Sequence, residues 1–329
     1  MKATTRSDGL TGLALAVASS AAFALSGPLA RGLIDTGWSP IAAVTVRTWG
    51  AFFILLLPAL AVLGGRWDLV RSESSRIVWF GLLAVSGAQL CFFSAVAAMP
   101  VAVALLIEYT APIAILVWLW VLQDQRPTRL TLIGAALAIL GLIAVLGVLD
   151  GVTVSLTGLF WSLGAMVGAA GYFLLSAHGR SELPPLVLAT GGIGVGAVVL
   201  SLVAVTGLQS FSAARADASI GGGNLPWWVT ALLLALVTAA LAYALGVTAA
   251  RLLGARLMSF VALTEVLFAA LFAWLLLGES VRVVQIGGGL LVLLGIGAVR
   301  LGEPSAPQSM LELPVTEPRQ DVSRTSLLS

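Results

Sequence analysis

Hydrophobic residues run through this chain in long stretches, broken by short polar or charged tracts. About twenty apolar residues make a helix that spans a bilayer. Cut at charges, prolines and glycines, the sequence divides into ten such stretches, at roughly 11–34, 40–64, 77–98, 100–122, 129–149, 153–177, 184–207, 226–250, 255–278 and 281–301. The tracts between them hold what turns need, as in GGRWDLVRSESSR after the second stretch and HGRSELPP after the sixth. Met99-Pro100 alone separates the third and fourth, and Arg251 to Arg256 separate the eighth and ninth, so both hairpins must be tight. The start of the chain imitates a signal peptide, with Lys2, Arg6 and Ala22-Phe23-Ala24. Its apolar run continues through Pro28 to Ile34, too long for a cleaved core, and predicts a retained first helix. Residues 303–329 carry four prolines and little apolar period, which predicts a disordered tail.

Composition sharpens the class. The chain is 59% hydrophobic and only 10% charged, with mean hydropathy +1.06, where a soluble domain would carry about a quarter charged residues. A polytopic membrane protein follows. A net charge of +2 gives no basis for a nucleic-acid partner. One cysteine, Cys91, and one histidine, His178, exclude an intrachain disulfide and a multi-histidine metal centre, and no cofactor is expected. With the N-terminus inside, thirteen Lys and Arg gather on the cytoplasmic side, against only Arg31, Arg215 and Arg282 outside. That excess predicts both termini in the cytoplasm and a multi-pass protein of the cytoplasmic (inner) membrane.

The chain resembles itself. At an offset of 154 residues Gly134 and Gly141 fall on Gly288 and Gly295, Trp120 on Trp274, and Pro100 on Gly254. Near the front, an offset of 146 sets Thr11-Gly12-Leu13 on Thr157-Gly158-Leu159. Five helices followed by five related ones must insert in opposite senses, because five is odd. The expected architecture is an all-α membrane protein of ten transmembrane helices in two inverted repeats, with a site at the midplane between them. The divisions are 1–10 (cytoplasmic N-terminus), 11–149 and 150–302 (the repeats) and 303–329 (cytoplasmic tail).

The repeats carry a family resemblance. Pro112 in the fourth stretch, and EVLFAALFAWLLLGES with Glu279 at its corner, resemble the EamA-type repeat of the drug/metabolite transporter superfamily. Each copy departs once: Val266 stands where proline is usual, and Gln125 stands at the first corner. The segment IEYTAP (107–112) is similar to one in threonine/homoserine-type amino-acid exporters. The resemblance implies a secondary transporter working by alternating access, exporting an amino acid or related metabolite, alone or as a homodimer. A lipid or lipid-linked sugar flippase is the alternative. A membrane enzyme would need a catalytic histidine, an acid pair or a metal set near the interface, and this sequence offers one histidine and no cluster of acids.

Candidate site residues are the polar groups stranded in apolar helix. Glu108 and Glu265 lie roughly 12 and 15 Å from the starts of their stretches, entering from opposite faces. A carboxyl at bilayer depth costs a few kcal/mol or more and marks a substrate or proton pathway. The alternative is a structural hydrogen bond between helices. Pro112 frees the carbonyl of Glu108. Arg47, at similar depth, either grips a substrate carboxylate, forms an ion pair with Glu108 or snorkels outward. Tyr109, Thr110, Thr264, Gln89, Tyr172 and Tyr243 complete the polar set, with Gln89 and Tyr243 at equivalent repeat positions. Phe268, one turn beyond Thr264, is a candidate aromatic wall. Pro28, after Ser26-Gly27, is expected to loosen the first helix. The pairs Gly164/Gly168 and Gly192/Gly196 read as close helix contacts, and Trp38, Trp67, Trp79, Trp227 and Trp228 as interfacial anchors.

Overall fold

The computed structural model describes residues 6–147, 155–177, 181–207, 210–220, 222–278 and 282–302, which are helical except for turns, connecting loops and one small hairpin. His178, expected at the cytoplasmic interface, the corner Glu279 and the tail from 303 lie outside those residues. Among the described residues, nine helices are long and apolar enough to cross a membrane. They are α1 (Gly9–Ile34), α2 (Pro40–Leu63), α3 (Ser74–Val96), α4 (Val101–Gln123), α5 (Arg129–Leu146), α6 (Leu156–Ser176), α7 (Pro185–Val205), α8 (Trp227–Ala262) and α10 (Val283–Gly302). A shorter apolar helix, α9 (Thr264–Leu277), follows α8.

The helix α8 runs past the expected end at 250, and the stretch read as 255–278 is shared between its last part and α9. The backbone does break there. Gly254 has φ 81° and ψ 161°, far from helix and open chiefly to glycine. It occupies the place of Pro100, so one repeat turns its tight corner with proline and the other with glycine.

Local sequence explains the helix limits. Ser39, Thr128 and Ser155 cap α2, α5 and α6, each accepting a backbone N–H three residues on. Gly64 and Gly147 close α2 and α5 in the left-handed region. Inside α3 and α8 the winding loosens into π-helix, over Phe80–Gly87 and Leu236–Leu241. At the 154 offset these two segments largely coincide.

The fifth helix of each repeat meets its counterpart. Gly134 of α5 lies under Gly295 of α10, and Gly141 lies under Gly288. A Cβ at Gly134 would come within 2.6 Å of the Gly295 carbonyl, and one at Gly141 within 2.5 Å of the Gly288 carbonyl. The register runs in opposite senses, so α5 and α10 pack antiparallel, backbone against backbone. Likewise α1 packs on α8 as α6 packs on α3, and α2 packs on α7. The two expected glycine pairs behave alike: Gly164 and Gly168 face Cys91 and Ala88, while Gly192 and Gly196 face Phe80 and Val85.

A strap between α7 and α8 holds one end of the bundle. Its strands β1 (Ala218–Ile220) and β2 (Gly223–Leu225) pair antiparallel, with Ala218 opposite Leu225. Ile220 lies over Gly32 of α1. Ser39 N–H donates to the Ser212 carbonyl (2.9 Å), and Ser212 N–H donates to Ser39 Oγ (3.1 Å). Trp38 therefore corrects its expected role. It is buried, donates its indole N–H to the Ala214 carbonyl (2.7 Å) and contacts Trp227, while Trp67, Trp79 and Trp228 remain exposed. At the opposite end, arginines counted as loop charges turn inward. Arg76 donates to the Leu175 carbonyl, Arg251 to that of Leu183 (2.6 Å) and Arg256 to that of Gln125 (3.3 Å).

Candidate functional site

Two interrupted helices meet at the centre. The first part of α4 ends at Glu108, and Tyr109 and Thr110 form a turn before the second part begins at Ala111. In the second repeat the chain turns at Leu263 between α8 and α9. These breaks are equivalent at the 154 offset. At each, a threonine hydroxyl donates to the carbonyl three residues back, Thr110 to Ile107 (2.6 Å) and Thr264 to Val261 (2.8 Å). Thr110 also lies 3.2 Å from Met166 Sδ. Neither threonine is among the residues that line the cavity, and each hydroxyl instead satisfies itself on the end of the preceding helix.

A cavity of about 470 Å³ lies against the two breaks. Glu108, Glu265, Arg47, Tyr109, Gln89, Tyr172 and Tyr243 all line it, as does Pro112. Pro28 does not: it is buried in the first turn after the interruption of α1 at Leu25, while Ser26 and Gly27 reach the lining. Phe268 is also absent from the wall, stacking instead on Phe272. The cavity is amphipathic by construction, since each polar group sits among aliphatic and aromatic neighbours.

The polar partners are specific. Tyr109 and Glu265 line the same cavity and interact electrostatically. Arg47 interacts electrostatically with Glu265 and Tyr243, and its Nη2 donates to the Thr238 carbonyl at 2.6 Å. Its Nε is buried without a hydrogen-bond partner. The expected alternative of an Arg47–Glu108 ion pair is not found: among the described residues, the ion pairs within 4 Å involve Arg31, Arg76 and Arg126. Tyr243 hydroxyl donates to the Ala84 carbonyl (3.2 Å), whereas its repeat counterpart Gln89 donates within its own helix to Val85 (2.9 Å).

Ala84 and Thr238 are themselves equivalent at the 154 offset, and each sits in a π-helical segment. Widening a helix by one residue disturbs the carbonyl ladder and leaves acceptors for side chains. Here the acceptor in each repeat takes its donor from the other repeat.

Sequence reasoning missed the aromatic floor. Phe23 meets Tyr243 edge-on (centroids 5.1 Å), and Tyr172 meets Tyr243 the same way (5.7 Å). Ser19 was missed too. Its hydroxyl donates to the Ala242 carbonyl (2.8 Å) beside Gly246, whose missing side chain leaves room for the Tyr172 hydroxyl. Two adjacent serines in an apolar helix were the available signal.

A helical, multi-pass membrane protein with an amphipathic cavity between two repeats is the class that this fold and site define. A family model for the EamA-like transporter family matches residues 10–147 and again 156–301, and the chain belongs to that family. No curated protein sequence matches it. One solved structure, a crystal structure described only as that of a protein, superposes with a TM-score of 0.68 at 19% identity, covering 90% of this chain and 96% of the other. That likeness concerns the fold. As a member of the family, the chain is a membrane transporter of small substrates.

Proposed function

We propose that the protein is a secondary transporter which exports an amino acid or a related zwitterion across the cytoplasmic membrane. The observation carrying this reading is the meeting of two broken helices at one cavity that holds two carboxyls and one guanidinium. A zwitterion needs an anionic and a cationic partner separated by a few ångströms, with apolar surface for its side chain. Glu108 and Arg47 supply the first two, and the Phe23–Tyr172–Tyr243 floor supplies the third. The segment IEYTAP adds a weaker pointer to amino acids.

Ten crossings in two inverted repeats would suit alternating access. On this reading the break at Gly254 would let the last part of α8 join α9 as a ninth crossing, and the antiparallel meeting of α5 with α10 suits repeats of opposite sense. Rocking of one repeat against the other would expose the central cavity to each side in turn. Both termini then lie in the cytoplasm.

The test is efflux. Cells expressing the wild type or Glu108→Gln, matched for membrane abundance, are preloaded with labelled amino acids. Faster efflux of one solute class, reduced at least about tenfold in the variant, is expected for loss of a charged hydrogen bond. Equal efflux from both cell lines for every amino acid would sink the substrate assignment and turn attention to lipids.

A further inference from the structure

We propose that Arg251, with Arg76 beside it, forms a binding site for a phosphate group at the end of the bundle where α3 begins. The site is separate from the central cavity and does not depend on which solute is transported.

Both arginines are fastened to the connection between α6 and α7. Arg76, in the first turn of α3, donates from Nε and Nη2 to the carbonyl of Leu175, just before the end of α6. Arg251 of α8 donates from Nη1 to the carbonyl of Leu183, just before α7 (2.6 Å). Next to Arg76, Ile77 lies over Gly191 of α7, and α7 packs on α8, so the ends of these helices share one corner. Arg251 accordingly feels the charge of Arg76, and after it that of Glu73. Of these three charges two are positive. The Glu73 carboxylate stands 3.7 Å from Arg76 Nη1, too far for a hydrogen bond.

The donors left over decide the chemistry. Arg251 Nε and Nη2 and Arg76 Nη1 are buried without a hydrogen-bond acceptor, and Arg76 as a residue is only 9% exposed. Nε and Nη2 share one edge of the guanidinium plane and aim their N–H bonds in parallel. Such an edge matches two oxygens of one anion. A buried N–H without an acceptor keeps its desolvation cost, and that cost is larger on a charged group. An anion on the Arg251 edge removes it and faces Arg76 as well. The level in the membrane points to phosphate. Arg251 is half-buried, so its edge lies just beneath the surface. Trp79, one turn along α3 from Arg76, and Trp67, on the short helix Trp67–Ser72 before it, are both exposed. Such rings mark the headgroup level of a bilayer, where basic pockets between helices take lipid phosphates. A free phosphate offers the same oxygens. Either would tie Arg76 of the first repeat to Arg251 of the second.

The test uses the purified full-length protein, stripped of lipid, with three probes: dioleoylphosphatidylglycerol, dioleoylglycerol (the same chains without phosphate) and inorganic phosphate. Native mass spectrometry should show the phospholipid held at least about tenfold more tightly than the glyceride. Arg251→Lys keeps the charge and a donor for Leu183 but loses the parallel pair, and should weaken phospholipid binding at least about tenfold. The same change at the exposed Arg126 should leave it as in the wild type. Glu73→Gln removes the competing carboxylate and should tighten binding about two- to fivefold, a gain that a purely structural role for the arginines does not give. That variant decides the matter if Arg251→Lys fails to fold. A rise in melting temperature with inorganic phosphate, lost in Arg251→Lys and without preference between the two lipids, would assign the site to a free anion. Equal retention of both lipids with no effect of phosphate, undiminished binding in Arg251→Lys, or no gain in Glu73→Gln would each overturn the proposal.

Discussion

At the scale of single residues, the charged positions were legible because hydrocarbon makes them anomalous. Glu108, Glu265 and Arg47 stand out in apolar runs, and all three reach one cavity. The threonines misled because a hydroxyl in a helix can satisfy itself on a carbonyl one turn back. Nothing in the sequence distinguishes that from a ligand. Gly246 was unread for a related reason, since its value lies in a neighbour distant along the chain. A Cβ there would overlap the Tyr172 hydroxyl and lie 2.7 Å from Ser19 Oγ. Gly246→Ala is therefore expected to displace Tyr172 and cost about 1–3 kcal/mol, as overpacking does. It should lower the melting temperature and weaken transport. Tyr172→Phe removes the colliding oxygen, so the double variant should recover part of both. Stability of Gly246→Ala equal to wild type, measured by thermal denaturation in detergent, would show that Tyr172 has room to move.

At the scale of elements, length and hydropathy located the helices, and the internal offset located their matching corners. What could not be read was winding. The π-helical segments of α3 and α8 contain ordinary apolar residues, and their carbonyls matter only because Tyr243 and Arg47 come from the opposite repeat to meet them. The strap with its hairpin was equally hidden, since Ser212 and Ser39 are far apart in the chain. The glycines of α5 and α10 were visible as a repeat, but not as partners. Close backbone approach is the main source of attraction between helices in lipid, where apolar burial alone gives little. Gly141→Ala would put a Cβ within 2.5 Å of the Gly288 carbonyl and 2.7 Å of Val292 N. The helices must separate, with an expected loss of about 1–3 kcal/mol. Gly297→Ala is the control, because nothing lies within 4 Å of its Cβ position and alanine is the better helix former. A fall in melting temperature for the first and none for the second is the expected pair of results, and equal behaviour would remove the α5–α10 contact from the stabilising set.

At the scale of the whole molecule, the count of positive charges and the geometry of the arginines bear on one question, the orientation in the membrane. Three of the thirteen charges assigned to the cytoplasm are engaged in capping. Arg76, Arg251 and Arg256 donate to carbonyls of Leu175, Leu183 and Gln125, and so tie helix ends together at the N-terminal side of the bundle. Their removal from the count leaves ten against three, so the bias survives. The geometry adds an asymmetry of its own: one end is fastened by guanidinium groups on backbone carbonyls, the other by the Ser39–Ser212 strap. The proposed two blocks of five crossings would fix where labels should appear. With Cys91 replaced by Ala, a cysteine at Ser210, seven crossings from the N-terminus, should react with an impermeant maleimide added outside intact cells. A cysteine at Ser72, after two crossings, should react only once the membrane is permeabilised. Leu301, at the end of α10 and exposed, decides between ten crossings and nine. If Gly254 divides two crossings, a cysteine at 301 is sheltered like that at 72. If α8 passes through as one span, with α9 not crossing, it is labelled like that at 210. The second pattern would leave the two repeats unequal in number of crossings and would remove the basis for an inverted pair around the cavity.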